Sequence, residues 1–344
     1  MALSVEQKIS LVLRNNQEVV TVSELEKLIE SKKQPVVYIG TAVTGKPHIG
    51  YFVWAKKVAD FLQAGFKVKI LLADVHGALD NCPWSLLEKR YEYYSLVIKE
   101  MLKSAGADIK NLEIIRGSEF QLKKEYMLDV LKLSTHTSVH DSMKAASDVV
   151  KLGDNPKLSG LIYPLMQALD EEYLGVDIQY GGVDQRKIMM FARENLSKIG
   201  YKPRIEFMTP IIPALNSGGK MSASDPNSKI DLMEKTADIK TKLNKAFCPE
   251  KEVEGNGVLA FMKYVVMVMK EDKKEKLSIK RPEKFGGDVE YASYTELEKD
   301  FVEGKLHPMD LKNAMAEEID KLVAPIRKAF EGKEKLTAEA YPEK

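Results

Sequence analysis

Two short stretches of this sequence combine glycine with residue types that bind phosphate. GTAVTGKPHIGY (40–51) follows the apolar run 36–39. Its glycines permit close backbone approach, and we expect a helix starting near Pro47 to direct its N–H groups at an anion. KMSAS (220–224) lies in a loop rich in glycine and serine. A lysine on such a loop can close over a triphosphate. Taken alone, the first stretch could equally be a tight turn and the second a solvated linker.

A third stretch places polar side chains on one face of a predicted helix. In YPLMQALDEEY (163–173), Tyr163, Gln167 and Asp170 stand at i, i+4 and i+7 among apolar neighbours. Polar groups on an apolar face need partners, so the pattern predicts a binding site; an exposed polar stripe is the alternative. GGVDQRK (181–187) follows a predicted strand and opens the next helix.

The elements around these stretches alternate between strand and helix. Strands are predicted for the apolar runs at 35–40, 68–75, 112–117, 177–182 and 205–215. Segments of helical periodicity separate these runs, and helices dominate beyond about residue 230, with at most one short strand in 271–290. We therefore predict an α/β fold: a doubly wound, Rossmann-like parallel sheet followed by an α-helical C-terminal domain.

The same alternation suggests domain boundaries. We predict an N-terminal helical segment (1–34), a Rossmann-like α/β domain (35–229) and a helical C-terminal domain (230–344). Within the first segment, Ser23 and Glu26 have the spacing of a capping box, which predicts a helix starting at Ser23.

The composition excludes several classes of protein. The formal net charge is +1, so a strongly basic nucleic-acid binder is excluded and any polyanion must meet local patches. Cys82 and Cys248 are far apart, which argues against a disulfide framework or a cysteine-rich zinc site. His136 and His140 have a spacing that suits zinc, but nothing nearby completes a ligand set, so we predict no metal site. With no apolar run of about 18 residues, we expect a cytoplasmic protein without a membrane span.

The two phosphate-binding stretches occur in the order and contexts of two known signatures. HIG (48–50) follows the first strand, and K-M-S-x-S (220–224) follows the last. This arrangement resembles the HIGH and KMSKS signatures of class I aminoacyl-tRNA synthetases. Tyr51 stands in the place of the second histidine, and Ala223 in the place of the second lysine.

The complete set of motifs resembles the tyrosyl-tRNA synthetases of archaea and eukaryotes. The motifs are Y-x-G at 38–40, GKPHIG, LLADVH (71–76), YPLMQALD, GGVDQRK, RPEKFGGD (281–288) and HPMDLKNA (307–314). The resemblance runs from about residue 33 to 330. It implies that the domain 35–229 is catalytic and includes a connective insertion at about 85–160, and that the domain 230–344 recognises the anticodon. It implies a homodimeric enzyme that uses ATP with Mg²⁺ to activate L-tyrosine and then charges tRNA-Tyr at its 3′-terminal adenosine.

The resemblance also implies a role for each matching residue. The implied tyrosine-binding residues are Tyr38, Leu71, His76, Tyr163, Gln167, Asp170 and Gln185. The implied ATP-binding residues are Gly40, Thr44, His48, Gly50, Gly182, Asp184, Lys220 and Met221, and the implied catalytic residues are His48, Lys220, Ser222 and Ser224. Contact with tRNA is implied for Lys144, Arg186 and Lys187 near the acceptor end and for Phe285, His307 and Asp310 at the anticodon.

Two alternatives remain beside this interpretation. The KMSAS loop also resembles that of tryptophanyl-tRNA synthetases, and a non-catalytic RNA-binding protein could use the same scaffold. An indole would leave Asp170 unpaired, which favours tyrosine, and the intact His48 and Lys220 favour catalysis. A pocket that hydrogen-bonds a substrate hydroxyl rejects the analogue lacking it by about 10⁴- to 10⁵-fold, a magnitude measured on tyrosyl-tRNA synthetases themselves.

Overall fold

A six-stranded sheet forms the centre of the first part of the chain. The computed structural model describes residues 3–216, 219–222 and 225–342. The strands are β1 (Glu18–Val20), β2 (Val36–Ala42), β3 (Lys67–Ala73), β4 (Leu112–Arg116), β5 (Ile178–Gly182) and β6 (Ile205–Thr209), and they lie side by side in the order β1-β6-β5-β2-β3-β4. All pairs are parallel except β1 with β6. The predicted doubly wound parallel sheet is confirmed.

The order of the strands reverses between β2 and β5. The chain passes from β2 to β3 and β4 on one side, and then forms β5 and β6 on the other side of β2. The β2–β3 pairing continues to Ala42 and the β5–β6 pairing to Gly182, whereas β2 and β5 pair only through Tyr38↔Gln179 and the residues before them. The two strands therefore separate toward their carboxyl ends, which opens a crevice where ligands bind in such sheets.

Helices cover both faces of this sheet. They are α1 (Val5–Leu13), α2 (Val22–Ser31), α3 (Tyr51–Gln63), α4 (Asp74–Leu79), α5 (Leu87–Ser104), α6 (Ser118–Gln121), α7 (Lys124–Ser134), α8 (Val139–Ala146), α9 (Leu158–Tyr173) and α10 (Arg186–Asn195). Because the strands are covered on both faces, the consecutive residues Ile70, Leu71 and Leu72 of β3, whose side chains point to alternate faces, are all essentially inaccessible to solvent. This burial is why the strands read as continuous apolar runs.

The second part of the chain is mostly helical. It contains α11 (Thr236–Lys245), α12 (Gly257–Phe261), α13 (Val268–Lys273), α14 (Tyr294–Val302), α15 (Pro308–Ala329) and α16 (Glu334–Ala340), with a π-helical turn (Met262–Met267) between α12 and α13. Two short strands, β7 (Leu277–Ile279) and β8 (Val289–Tyr291), pair antiparallel. The expectation of at most one strand in this region is therefore wrong. Within the described ranges, no helix combines the length and apolar character needed to span a bilayer.

Two predicted helix starts are displaced. The side chain of Thr21 accepts from the Glu24 backbone N–H, and the Glu24 carboxylate accepts from the Thr21 backbone N–H, so the capping box lies two residues before the predicted one. The helix expected near Pro47 begins only at Tyr51, because the preceding residues form an extended bridge. In that bridge the Ile49 N–H donates to the carbonyl of Ile230 at 2.9 Å. The segment 1–34, predicted to be helical, also contains the edge strand β1.

Candidate active site

A cavity of about 890 Å³ opens at the carboxyl ends of β2 and β5. Its wall includes the residues that were predicted from the sequence to bind the amino acid, namely Tyr38, Leu71, His76, Tyr163, Gln167, Asp170 and Gln185. It also includes the residues predicted to bind ATP or to act in catalysis, namely Gly40, Thr44, His48, Gly50, Gly182, Asp184, Lys220, Met221 and Ser222. Ser224 and Ala223 lie outside the described residues. The structure thus brings together segments that are far apart in the sequence.

Asp170 forms a polar, buried part of the cavity wall. Its Oδ1 accepts from Nε2 of Gln121 and from the hydroxyl of Tyr126, both at 2.8 Å. Its Oδ2 receives no hydrogen bond from the described residues and lies 4.0 Å from Nε2 of His76. Burial raises the pKa of Asp170 to about 7. One oxygen is therefore anchored by the protein, and the other remains as an acceptor for a ligand.

Aromatic residues surround this carboxylate. The hydroxyl of Tyr38, from β2, donates to the carbonyl of Gln167 at 3.4 Å. Burial, and then the charge of Asp170, raises the pKa of Tyr38 well above its ordinary value, so the phenol stays a donor. Burial lowers the pKa of His76 to about 4, which keeps this ring neutral, and it packs edge-on against Tyr163 with ring centroids 4.5 Å apart. Leu71 of β3 is fully buried beside Tyr38.

Two amide side chains meet on a neighbouring part of the wall. Gln167 projects from α9 and Gln185 from the turn Val183–Gln185 that follows β5. Nε2 of Gln167 donates to Oε1 of Gln185 at 3.1 Å. This hydrogen bond therefore links α9, which carries Asp170, to the turn that follows β5, one of the two strands between which the strand order reverses.

His48 is neutral and has a defined tautomer. Its Nδ1 accepts from the backbone N–H of Gly50 at 3.2 Å, so the proton of the neutral ring resides on Nε2. Burial, and then the charge of Lys229, lowers the pKa of His48 to about 3. The ring can therefore donate a hydrogen bond but brings no positive charge. Tyr51 packs edge-on against it with centroids 5.0 Å apart.

The loop around Lys220 packs directly on the HIG segment. A Cβ atom placed on Gly50 would lie 2.9 Å from Cε1 of His48 and 3.4 Å from Sδ of the buried Met221, so only glycine fits without a shift. Nζ of Lys220 forms an ion pair with Oδ2 of Asp184 at 2.6 Å. The backbone N–H of Ser222 donates to Oγ of Ser228 at 3.2 Å. The HIG segment and the loop around Lys220 are thus in contact, and Lys220 is bound to Asp184, which lies in the turn after β5.

The basic residues expected near the acceptor end of tRNA lie outside the cavity wall. Arg186 and Lys187 begin α10, directly after the turn that carries Gln185. Arg186 makes two hydrogen bonds to Glu18, at 2.7 and 2.9 Å, and Lys187 forms an ion pair with Asp148 at 2.8 Å. Lys144 is exposed on α8, which packs against α10.

The residues expected at the anticodon lie in the helical part of the chain. Phe285 is 61% exposed at the end of the turn Glu283–Phe285. His307 caps α15 through its Nδ1, which accepts from the Met309 N–H at 3.1 Å, and Asp310 lies in the first turn of that helix. Arg281 links the segment that follows Phe285 to the segment that precedes His307, because it donates to the carbonyls of Gly287 and Lys305, both at 2.8 Å.

Sequence reasoning missed the two side chains that anchor Asp170. Gln121 and Tyr126 belong to α6 and α7 of the predicted insertion and are fully buried. Nε2 of Gln121 also lies 3.2 Å from Nδ1 of His76. The hydroxyl of Tyr126 lies within 2.8 Å of Asp170 and 2.7 Å of the Met166 carbonyl, so its single proton has two acceptors. Neither residue belongs to a motif, and only the fold reveals their role.

The residue types that ligate metals are dispersed over the part of the chain that the structure describes. No group of three or more His, Cys, Asp and Glu side chains there could hold a metal ion. His136 and His140 are both exposed, one after α7 and the other in α8.

Comparison with known proteins identifies the family of the chain. A family model described as tRNA synthetases class I (W and Y) matches residues 30–324. The "Tyrosine--tRNA ligase, cytoplasmic" of Danio rerio is 49% identical over 99% of this chain and 64% of its own length. The "Tyrosine--tRNA ligase" of Haloarcula marismortui is 45% identical over 98% of both chains. This chain therefore spans 64% of the length of the first relative and nearly all of the second.

Solved structures agree with these sequence matches. The tyrosyl-tRNA synthetase of Archaeoglobus fulgidus complexed with L-tyrosine superimposes with a TM-score of 0.87 at 39% identity, covering 95% of this chain and 99% of that one. A tryptophanyl-tRNA synthetase from Aeropyrum pernix covers 93% of this chain and 84% of its own length, with a TM-score of 0.68 and 17% identity, which shows a shared fold. The resemblance seen in the sequence motifs is confirmed.

Proposed function

The chain belongs to the class I tRNA synthetases of the tryptophan and tyrosine family, and from this premise we propose that it is a tyrosine–tRNA ligase. It activates L-tyrosine with ATP, forming tyrosyl-adenylate and pyrophosphate. It then transfers the tyrosyl group to the 3′-terminal adenosine of tRNA-Tyr. The observation that carries the proposal is the anchored carboxylate of Asp170, whose second oxygen has no protein hydrogen-bond donor among the described residues.

The polar part of the cavity suits a phenol. A substrate hydroxyl can donate to Oδ2 of Asp170 and accept from Tyr38, whose phenol stays protonated. A phenyl ring would leave Oδ2 of Asp170 without a donor, which is costly, and an indole, whose N–H donates but cannot accept, would offer no acceptor to Tyr38. The α-ammonium group is assigned to Tyr163, Gln167 and Gln185, and the wall of the ring pocket to Leu71 and His76.

ATP is assigned to the part of the cavity between the two signature segments. Gly40, His48 and Gly50 lie on one side, and Gly182 and Asp184 on the other. Lys220 and the serines of its loop complete the site. Because His48 is neutral, it stabilises phosphate oxygens by hydrogen bonding, and the mobile positive charge comes from Lys220. Lys220 must leave Asp184 to reach a phosphate, so this ion pair represents a resting arrangement.

Magnesium fits this site as part of the nucleotide substrate. Mg²⁺ is usually held by substrate phosphates and one or two carboxylates rather than by a protein cage. Besides Asp170, the carboxylates on the described cavity wall are those of Asp80 and Asp184. When bound, the ion neutralises phosphate charge.

The chemistry needs positioning more than proton transfer. The ionised carboxylate of tyrosine attacks the α-phosphorus of ATP, and pyrophosphate leaves with the bonding electron pair. A ribose hydroxyl of the terminal adenosine then attacks the activated carbonyl carbon, and AMP leaves. The first step uses no general base, so alignment and stabilisation of phosphate charge supply most of the acceleration.

The proposed tRNA contacts lie at two places. Lys144, Arg186 and Lys187 lie near the start of α10 and are assigned to the acceptor end. Arg186 and Lys187 exchange their carboxylate partners for phosphates. Phe285 offers an exposed face on which an unstacked anticodon base can stack, with His307 and Asp310 as hydrogen-bonding neighbours.

Homodimerisation is proposed through the predicted insertion. Six exposed large apolar side chains lie within residues 122–158, namely Leu122, Met127, Leu128, Leu131, Val139 and Leu158. They belong to α6–α9 and the adjoining turns, and α7 and α8 both pack on α9. An apolar surface of this kind is typical of an interface between copies. Sedimentation of Leu131→Asp should show monomers, while Val302→Asp, at an exposed site elsewhere, should remain dimeric.

We also propose a cytoplasmic location, as named for the relatives.

Amino-acid-dependent ATP–pyrophosphate exchange tests the proposed activity. Exchange should occur with tyrosine and be far weaker with tryptophan and phenylalanine. Lys220→Ala should lower the exchange rate constant and leave the tyrosine Kd unchanged, and the exposed Lys235→Ala serves as its control. Charging of a tRNA-Tyr transcript tests the second step. Exchange with tryptophan alone would refute the tyrosine assignment, and exchange with neither amino acid would favour the RNA-binding alternative.

A further inference from the structure

The end of the last described helix, α16, contacts the loop 43–46 on the side of this loop that faces away from the cavity. The hydroxyl of Tyr341, directly after α16, donates to the carbonyl of Gly45 at 2.8 Å. The hydroxyl of Tyr94, from α5, donates to the same carbonyl at 2.5 Å. Burial raises the pKa of both phenols, so both remain donors at physiological pH. One backbone carbonyl in the loop 43–46 thus receives two buried hydroxyl groups.

Arg90 extends this contact to the two preceding carbonyls. Its Nη1 donates to the carbonyl of Val43 at 3.4 Å and to that of Thr44. Its Nε donates to the carbonyl of Ala340 at 3.1 Å, and the guanidinium lies 4.9 Å from the centre of the Tyr341 ring. Arg90 therefore links the loop to the end of α16. Three successive carbonyls are held from the side of α5 and α16.

The direction of these carbonyls determines the direction of the amide groups. In a planar trans peptide, the C=O and the following N–H point in opposite directions. The N–H groups of Thr44, Gly45 and Lys46 are therefore turned away from α5 and α16, toward the side on which Thr44 and Gly45 line the cavity. None of these three N–H groups donates to another group among the described residues. Successive backbone N–H groups of this kind form an anion-binding concavity.

We propose that Arg90, Tyr94 and Tyr341 are positioning residues that set the loop 43–46 to bind the phosphates of ATP. None of the three lines the cavity, so they act through the backbone of the loop. The proposal rests on the proposed function, because it concerns the nucleotide of that reaction. It gives the segment from α16 to Tyr341 a role in ATP binding, although Tyr341 is separated from Gly45 by 296 positions in the sequence.

Phenylalanine variants test this role because they remove only the hydroxyl groups. Tyr341→Phe and Tyr94→Phe should each raise the KM for ATP by about 3- to 10-fold, as expected for one neutral hydrogen bond. The double variant leaves the Gly45 carbonyl without either partner and should raise KM by about 10- to 100-fold. The tyrosine Kd should change little, and the double variant should unfold at a lower temperature but remain folded under the assay conditions, since one carbonyl loses both donors. A purely structural role would instead affect both substrates together.

Tyr93→Phe is the matched control. Tyr93 is buried in the same aromatic cluster, with its ring centroid 5.2 Å from that of Tyr341, but its hydroxyl makes no bond to the loop. An unchanged KM for ATP in the double variant, or an equal rise in Tyr93→Phe, would overturn the proposal.

A direct titration with ATP·Mg²⁺ separates this proposal from the proposed function. If the wild-type protein shows no tyrosine-dependent exchange but binds ATP with the expected dependence on Tyr94 and Tyr341, the positioning role stands and the ligase assignment fails. If exchange occurs and the double variant binds ATP as tightly as the wild type, the ligase assignment stands and the positioning role fails. Failure of the wild-type protein to bind ATP would overturn both.

Discussion

Replacing Asp170 by asparagine should reverse the hydrogen-bonding character of the amino-acid pocket. Gln121 and Tyr126 both donate to Oδ1, so the amide oxygen of the introduced asparagine should occupy that position. The amide NH₂ then takes the place of Oδ2, the oxygen that faces a ligand. A tyrosine hydroxyl that donated to a carboxylate would meet a second donor instead.

The size of the effect follows from the charge of the lost acceptor. A hydrogen bond to a charged group contributes about 1.5–3 kcal/mol. We therefore expect the Kd for tyrosine to rise by about 10- to 150-fold. Phenylalanine makes no such bond, and its binding should not weaken, because the variant no longer buries a charged oxygen that lacks a donor. Selectivity for tyrosine over phenylalanine should fall by at least the same factor.

Calorimetric titration with both amino acids, together with exchange kinetics, measures this effect. Asp129→Asn is the matched control because Asp129 is also a buried carboxylate that accepts from two phenols, Tyr173 and Tyr201, but it does not line the cavity. Its replacement should leave the tyrosine Kd unchanged. A folded Asp170→Asn protein with unchanged tyrosine affinity, or an equal loss in Asp129→Asn, would refute the reasoning.

Four further outcomes are expected. Tyrosine should bind about tenfold more weakly at pH 6 than at pH 8, since the raised pKa of Asp170, about 7, leaves the carboxyl group largely protonated at pH 6. Tyrosine titrations across this pH range measure the dependence, which should vanish in Asp170→Asn. His48→Ala should slow adenylate formation by about 100-fold, as measured by quenched-flow kinetics. Because the pKa of His48 is about 3, the wild-type rate should show no titration of His48 from pH 5 to 8. A step in the rate near pH 6.5 would contradict this expectation. Gly50→Ala should lower the free energy of unfolding by about 1–3 kcal/mol because its Cβ crowds His48, as urea denaturation can show; an unchanged value would mean that the ring moves freely. Asp60→Asn should cost about 3–5 kcal/mol by the same method, because it removes the carboxylate that pairs with the partly buried Arg14 and with the buried Lys56 and Lys57. The contribution of this carboxylate, whose pKa is lowered, should be complete above pH 4 and be lost as the pH falls further.

The ion pair of Lys220 with Asp184 has a consequence for the proposed nucleotide site. Lys220 is about half exposed, and an ion pair of such groups contributes only about 0–1 kcal/mol. Phosphate oxygens can therefore displace Asp184 at little cost. Since His48 is neutral, the positive charge on the described cavity wall comes from Lys151 and Lys220, and release of Lys220 from Asp184 makes the second of these charges available.

Tyr51 stands where the signature sequence has a second histidine, and the structure shows its contacts. Its ring packs edge-on against His48, and its hydroxyl lies 3.5 Å from Oγ1 of Thr41. The side chain therefore supports the orientation of His48 by packing. Ala223, the other departure from the signatures, lies outside the described residues.

The sequence by itself determined the five parallel strands of the sheet and the positions of its motifs, but it did not predict the short edge strand β1. Apolar runs predict buried strands because burial on both faces excludes polar residues, and glycine-rich segments after strands predict the ends at which ligands bind. The helical spacing of Tyr163, Gln167 and Asp170 was sufficient to place them on one face. These inferences hold because each depends on a local, periodic or contiguous pattern.

Only the tertiary structure decided which side chains hold the site in place. Gln121 anchors Asp170 from 49 positions away, and Tyr341 reaches Gly45 from 296 positions away. Hydrogen bonds between such distant residues leave no periodic pattern in the sequence. They arise because packing of α6, α7 and α16 against their neighbours brings single polar groups to buried places, where each must find a partner.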